Sequence, residues 1–121
     1  MLKSNPIFCA LDTSDVDRAA SLGFALKGAV GGLKIGKEFF TAHGPAGVRK
    51  IVPEGMPFFL DLKFHDIPNT VAGAVRAACA LGPTMLNVHA AGGRAMMTAA
   101  RDAAAESAAH PWVLAVTVLT S

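Results

Sequence analysis

Short apolar runs alternate along this chain with longer, alanine-rich stretches, and no other feature limits the possible folds as tightly. The runs are Ile7 to Leu11, Gly31 to Gly36, Met56 to Leu62, Met85 to His89 and Trp112 to Leu119. Each is short and bounded by Gly, Pro or polar residues, which is how buried strands read. Between the first two, Thr13-Ser14-Asp15 supplies capping side chains for a helix to about Lys27. Its apolar face is expected at Val16, Ala19, Ala20, Gly23 and Leu26. Segment 37–53 reads as one or two short helices, broken near Gly44-Pro45 and closed by Pro53. Ile67-Pro68-Asn69-Thr70 opens another, with face Val71, Ala74, Val75, Ala78 and Leu81, stopped by Gly82-Pro83. Gly92-Gly93 leads into a last helix over about 94–108.

The resulting order, βαβαβαβαβ, implies a parallel sheet covered by helices. Two architectures use it: the open doubly wound sheet and the eight-stranded (β/α) barrel. Asp12, Lys34, Asp61, Lys63, His89 and Thr120 are each expected at the C-terminal end of a strand. In a barrel the strand ends converge on one mouth, whereas in an open sheet only those beside a switch point meet. Charges from several successive strands therefore favour the barrel. A whole barrel needs about 250 residues, and this chain has 121. The expectation is an α/β fold, a (β/α)8 TIM barrel of which this chain supplies about the first four and a half βα units. Residues 1–121 would form the N-terminal portion of a single TIM-barrel domain. Strands one and five would then be open edges that invite association.

Composition removes several function classes. An apolar share of 52% with 17% charged residues is too hydrophobic for disorder. Two cysteines, Cys9 and Cys79, do not make a disulfide framework. No apolar run reaches the roughly 18 residues of a membrane span, and Met1 to Pro6 lacks the apolar core of a secretory signal. The expected setting is cytoplasmic, with both thiols free and no membrane partner. A net charge of +2 without a basic stripe, and no tyrosine, speaks against nucleic-acid binding.

The densest chemistry is Asp61-Leu62-Lys63-Phe64-His65-Asp66-Ile67-Pro68-Asn69-Thr70. Strand alternation would project Asp61 and Lys63 together, with Leu60 and Leu62 toward the helices. Lys34 from the neighbouring strand would lie beside Asp61, and Asp66 would reach the same mouth. A carboxylate held near a reacting carboxylate raises the ground state, and an ammonium beside a developing carbanion stabilises and protonates it. An ion-pair network that only ties strand ends together would account for any one of these charges, but the constellation as a whole favours function. His65 and His89 read as a turn residue and a strand-end hydrogen-bonding group rather than as metal ligands. Gly92-Gly93-Arg94 reads as a tight turn more readily than as a phosphate cradle.

The run DLKFHDIPNT (61–70) closely resembles the active-site signature of the orotidine 5′-phosphate decarboxylase family. ALDTSD (10–15), GLKIGKEFF (32–40), NVHAAGG (87–93) and VTVLTS (116–121) match in the same order across almost the whole chain. The resemblance implies decarboxylation of orotidine 5′-monophosphate to uridine 5′-monophosphate and CO2 in pyrimidine synthesis, with no metal and no organic cofactor. It implies a sugar contact for Asp12, a place in the charged network for Lys34, and a position against the substrate carboxylate for Asp61. Lys63 would deliver the proton to C6. Asp66, with Ile67 and Thr70, would enter the neighbouring site of a homodimer. Thr120 would lie near the pyrimidine, with Ser121 beside it. The stretch Leu62, Phe64, His65, Pro68 and Asn69 would complete the substrate-binding segment. The family's phosphate grip comes from later strands, so this chain alone is expected to have little or no activity. Two other readings compete: a magnesium-dependent sugar-phosphate decarboxylase or aldolase of the same superfamily, and a non-catalytic half-barrel that works by associating.

Overall fold

The computed structural model describes residues 5–121; Met1 to Ser4, on which part of the signal reading rests, lie outside the described residues. The chain divides into two compact units, one ending at Asp61 and one running from Leu62 to Ser121.

In the first unit, β1 (Phe8–Ala10) pairs in parallel with β2 (Gly32–Gly36), setting Ala10 opposite Lys34. The Leu11 amide extends this ladder by donating to the Lys34 carbonyl at 2.9 Å. Helix α1 (Val16–Leu26) starts where Asp15 accepts the amides of Asp17 and Arg18, at 3.0 and 3.1 Å. Those donors have no helical carbonyl to meet, which is why an Asp stands there. Of the expected face, Ala19 and Gly23 are buried, and Val16, Ala20 and Leu26 are half-buried. Helix α2 (Lys37–Ile51) is kinked at Gly44, whose φ of 62° only glycine adopts without strain, just before Pro45. The break read from Gly44-Pro45 is thus present, as a kink. Leu33, Ile35, Phe39, Val48, Ile51 and Leu60 form the buried core here.

Strand β3 (Phe58–Phe64) begins in the first unit and ends in the second. It pairs in parallel with β2, with Lys34 opposite Phe59 and Gly36 opposite Asp61. It runs two residues past Leu62, the end expected from sequence.

In the second unit, α3 (Pro68–Cys79) begins with Pro in its first turn, where the missing N–H costs nothing. Its buried residues are Val71, Ala72, Val75, Ala78 and Cys79. The face is therefore rotated from the expected one: Ala74 and Leu81 are only half-buried. Packing of α3 against α4 (Arg94–Ala105), which buries Met96, Ala100, Ala103 and Ala104, draws Cys79 inward. Strand β4 (Met85–His89) pairs in parallel with β5 (Trp112–Val116) along its full length. Strand β5 was expected to reach Leu119. It stops at Val116 because β4 offers no partner beyond His89.

The sheet order is β1-β2-β3-β4-β5, parallel and in sequence order. A doubly wound sheet reverses its strand order at a switch point. This sheet has none, so the fold is α/β with the winding of a (β/α) barrel. No helix among the described residues is long and apolar enough to cross a membrane. Cys9 and Cys79 are both free thiols.

Candidate functional site

The first unit contributes a lysine–carboxylate pair. Lys34 stands opposite Phe59 in the β2–β3 ladder, so its side chain shares a face with Phe59 and Asp61. The diagonal to Asp61 is within a lysine's reach, and Nζ lies 3.2 Å from Asp61 Oδ2. Asp61 is buried in the residue sense at 8% exposure, and the Lys34 side chain is 29% exposed. A charge-assisted hydrogen bond of this kind contributes more than a neutral one. Asp12 lies two residues beyond β1, exposed and in irregular backbone.

The second unit contributes Lys63 and what surrounds it. Lys63 is half-buried near the end of β3, and its φ is +51°. Left-handed backbone costs a non-glycine residue roughly 1–2 kcal/mol. The alternation that places Asp61 and Lys63 on one side holds only for extended backbone, so it does not apply at Lys63. The Lys63 amide donates to Asn87 Oδ1 at 2.8 Å. Leu62 is buried and Phe64 half-buried.

After β3 the segment His65 to Thr70 is exposed throughout. Asp66 Oδ1 accepts the Ile67 amide at 2.7 Å, which shapes the turn into α3. Ile67 presents an apolar side chain that is 66% exposed, and Pro68, Asn69 and Thr70 form the exposed first turn of α3. The His65 and His89 rings lie 5.4 Å apart, tilted by 45°. Among the described residues no three His, Cys, Asp or Glu side chains group as a metal site requires. Gly92 ends a 3-10 turn, Ala90–Gly92, and Gly93, at φ 95°, leads into α4. The tight-turn reading of this segment fits that geometry.

Thr120 does not sit at a strand end as expected. It lies past Val116, with Ser121 after it, in exposed irregular backbone, for the pairing reason given above. Asn87 was missed as a site residue in its own right. Its signal was present, an amide inside the apolar run Met85-Leu86-Asn87-Val88.

An unreversed parallel βα repeat with a lysine–aspartate pair on its strands defines a barrel-type α/β protein with a charged site. The profile of the orotidine 5′-phosphate decarboxylase / HUMPS family matches residues 5–121. The chain is 56% identical over 126 residues to orotidine 5′-phosphate decarboxylase of Rhodospirillum rubrum, covering 99% of this chain and 51% of that protein. It is 56% identical over 118 residues to the same enzyme of Novosphingobium aromaticivorans, covering 98% and 51%. The crystal structure of orotidine 5′-phosphate decarboxylase from Lactobacillus acidophilus superposes with a TM-score of 0.81 at 37% identity, over 97% of this chain and 55% of that one. This chain belongs to the orotidine 5′-phosphate decarboxylase / HUMPS family. It spans about half the length of the curated relatives it matches.

Proposed function

We propose that the protein carrying this sequence decarboxylates orotidine 5′-monophosphate to uridine 5′-monophosphate in pyrimidine synthesis, and that residues 1–121 are the N-terminal portion of its single barrel domain. The observation that carries the reading is the Lys34–Asp61 pair at 3.2 Å, on the family's own motif residues. In this reading Asp61 stands against the substrate carboxylate. The C6–carboxylate bond breaks, CO2 leaves, and the electron pair stays on C6. Lys63 gives that carbon its proton, and Lys34 and Asp66 complete the alternating charges of the network. Asp12 contacts the sugar, the segment Leu62 to Thr70 lines the nucleotide, and Thr120 approaches the pyrimidine. The chemistry requires neither metal nor organic cofactor, because the lysines supply the positive charge.

Ile67, apolar and 66% exposed beside Asp66, supports a homodimer in which Asp66, Ile67 and Thr70 reach the neighbouring site. The setting is cytoplasmic, which suits two free thiols. The magnesium-dependent sugar-phosphate reading has the same family description behind it, but the named relatives are nucleotide decarboxylases.

The deciding experiment follows the absorbance of orotidine 5′-monophosphate with full-length protein, with and without EDTA, beside the 121-residue chain. Metal-independent turnover by the full-length protein, with little by the shorter chain, is the expected result. Turnover only with magnesium, or only of a sugar phosphate, would sink the reading. A protein with no turnover and only self-association would leave the scaffolding reading.

A further inference from the structure

We propose that Asn87 is a positioning residue for Lys63: its side-chain oxygen holds the left-handed backbone from which the lysine is presented. The inference rests on the decarboxylase reading for what Lys63 does, and on the structure alone for how Lys63 is held.

A lysine at φ +51° inside a strand has no local reason to be there. Glycine adopts this conformation freely, and Asn or Asp can support it with a short polar side chain, whereas lysine has neither property. Such a residue persists only where its surroundings hold it. The Lys63 amide donates to Asn87 Oδ1 at 2.8 Å, across 24 residues of sequence. In a regular parallel ladder that acceptor is a main-chain carbonyl, whose position is tied to the neighbouring strand. A side-chain oxygen can meet an amide that has rotated out of the ladder, and it stays in place if its own residue is packed.

Asn87 is packed. It lies at the centre of β4, is 3% exposed, and has Leu86 and Val88 beside it at full burial. A buried amide is costly unless it is hydrogen-bonded, and no buried side-chain N or O atom among the described residues lacks a partner. An aliphatic residue in this apolar run would fill the space without that requirement, so the amide's presence needs a reason. Its bond to Lys63 supplies one. Turning φ at Lys63 redirects its Cα–Cβ bond, and with it the starting direction of the ammonium that the reaction uses. Asn87 acts through Lys63 and needs no contact with substrate.

The test uses full-length protein and two variants, with kcat, KM, uridine monophosphate affinity, Tm and a crystal structure for each. Asn87→Leu removes the acceptor at similar volume. It is expected to lower kcat by about 10- to 100-fold, the scale of a misplacement near 1 Å, with KM and product affinity nearly unchanged. Its Lys63 backbone should return to the extended region. Asn87→Asp keeps the acceptor oxygen and should retain the left-handed Lys63 and most of kcat. A folded Asn87→Leu with wild-type kcat, or an Asn87→Asp as impaired as the Leu variant, would overturn the proposal. Hydrogen exchange on the wild-type protein needs no variant: the Lys63 amide should be protected, and exchange as fast as in the exposed segment after it would equally overturn the proposal. A wild-type protein that fails on orotidine 5′-monophosphate while keeping that amide protected would sink the decarboxylase reading and the role of Asn87 in catalysis, not the bond.

Discussion

Lys34 Nζ lies 3.2 Å from Asp61 Oδ2 across the diagonal of the β2–β3 ladder. The pair brings together two charges from segments 27 residues apart, each on a strand whose apolar neighbours are buried. Removing one partner leaves the other poorly solvated. Lys34→Met in the full-length protein is expected to lower stability by about 1.5–3 kcal/mol, the worth of a hydrogen bond to a charged group. Urea unfolding at neutral pH measures it, and an unchanged midpoint would show that the pair is energetically idle.

In the proposed reaction Lys63 is the proton donor. Lys63→Ala is expected to cut kcat by about 10²–10⁴-fold, the usual contribution of a positioned general acid. Unchanged turnover in the full-length protein would remove catalysis from this residue.

Metal removal separates the two enzyme readings. Dialysis against EDTA should leave the rate for orotidine 5′-monophosphate unchanged, and added magnesium should not raise it. A rate that collapses with EDTA and returns with magnesium would favour the sugar-phosphate chemistry.

Gly23 and Gly73 should respond oppositely to alanine. A Cβ on Gly23 would sit 2.7 Å from the Ile51 carbonyl oxygen, a main-chain atom that cannot step aside. Overpacking of this kind costs about 1–3 kcal/mol, more than the gain of about 1 kcal/mol in helix propensity. Gly73 has open space around its Cβ position, so Gly73→Ala should stabilise by about 0.5–1 kcal/mol. Thermal unfolding of the two variants gives both signs.

The two thiols should differ in reactivity. Burial pushes the Cys79 thiol up, and a hydrogen bond with Ser107 only partly offsets it. A higher pKa means less thiolate at pH 8, and burial restricts access as well. Iodoacetamide should therefore modify half-buried Cys9 before Cys79, as read by peptide mass mapping. Equal rates would mean that the α3–α4 packing opens readily in solution.

Much of the fold was legible in the amino-acid order because the signals are local. Asp15 caps α1, Gly44-Pro45 kinks α2 and Pro68 starts α3 through interactions within a few residues. Apolar runs of the right length named all five strands, and Lys34 and Asp61, the two halves of the ion pair, were both legible as charges on those strands. Limits were set elsewhere. Strand β5 ends at Val116 because β4 ends at His89, and α3 turns Cys79 inward because α4 packs there.

The sequence by itself determined the order of elements, the unreversed βα winding and the identity of the charged residues, since each follows from periodicity and composition along the chain. Only the tertiary structure decided that Lys34 closes on Asp61 and that Lys63 leaves the extended conformation with its amide on Asn87. Both depend on partners more than 20 residues away. A backbone angle unfavourable to lysine on its own is stable only where a packed neighbour supplies the hydrogen bond, and a reading of local preference assigns that residue to a regular strand.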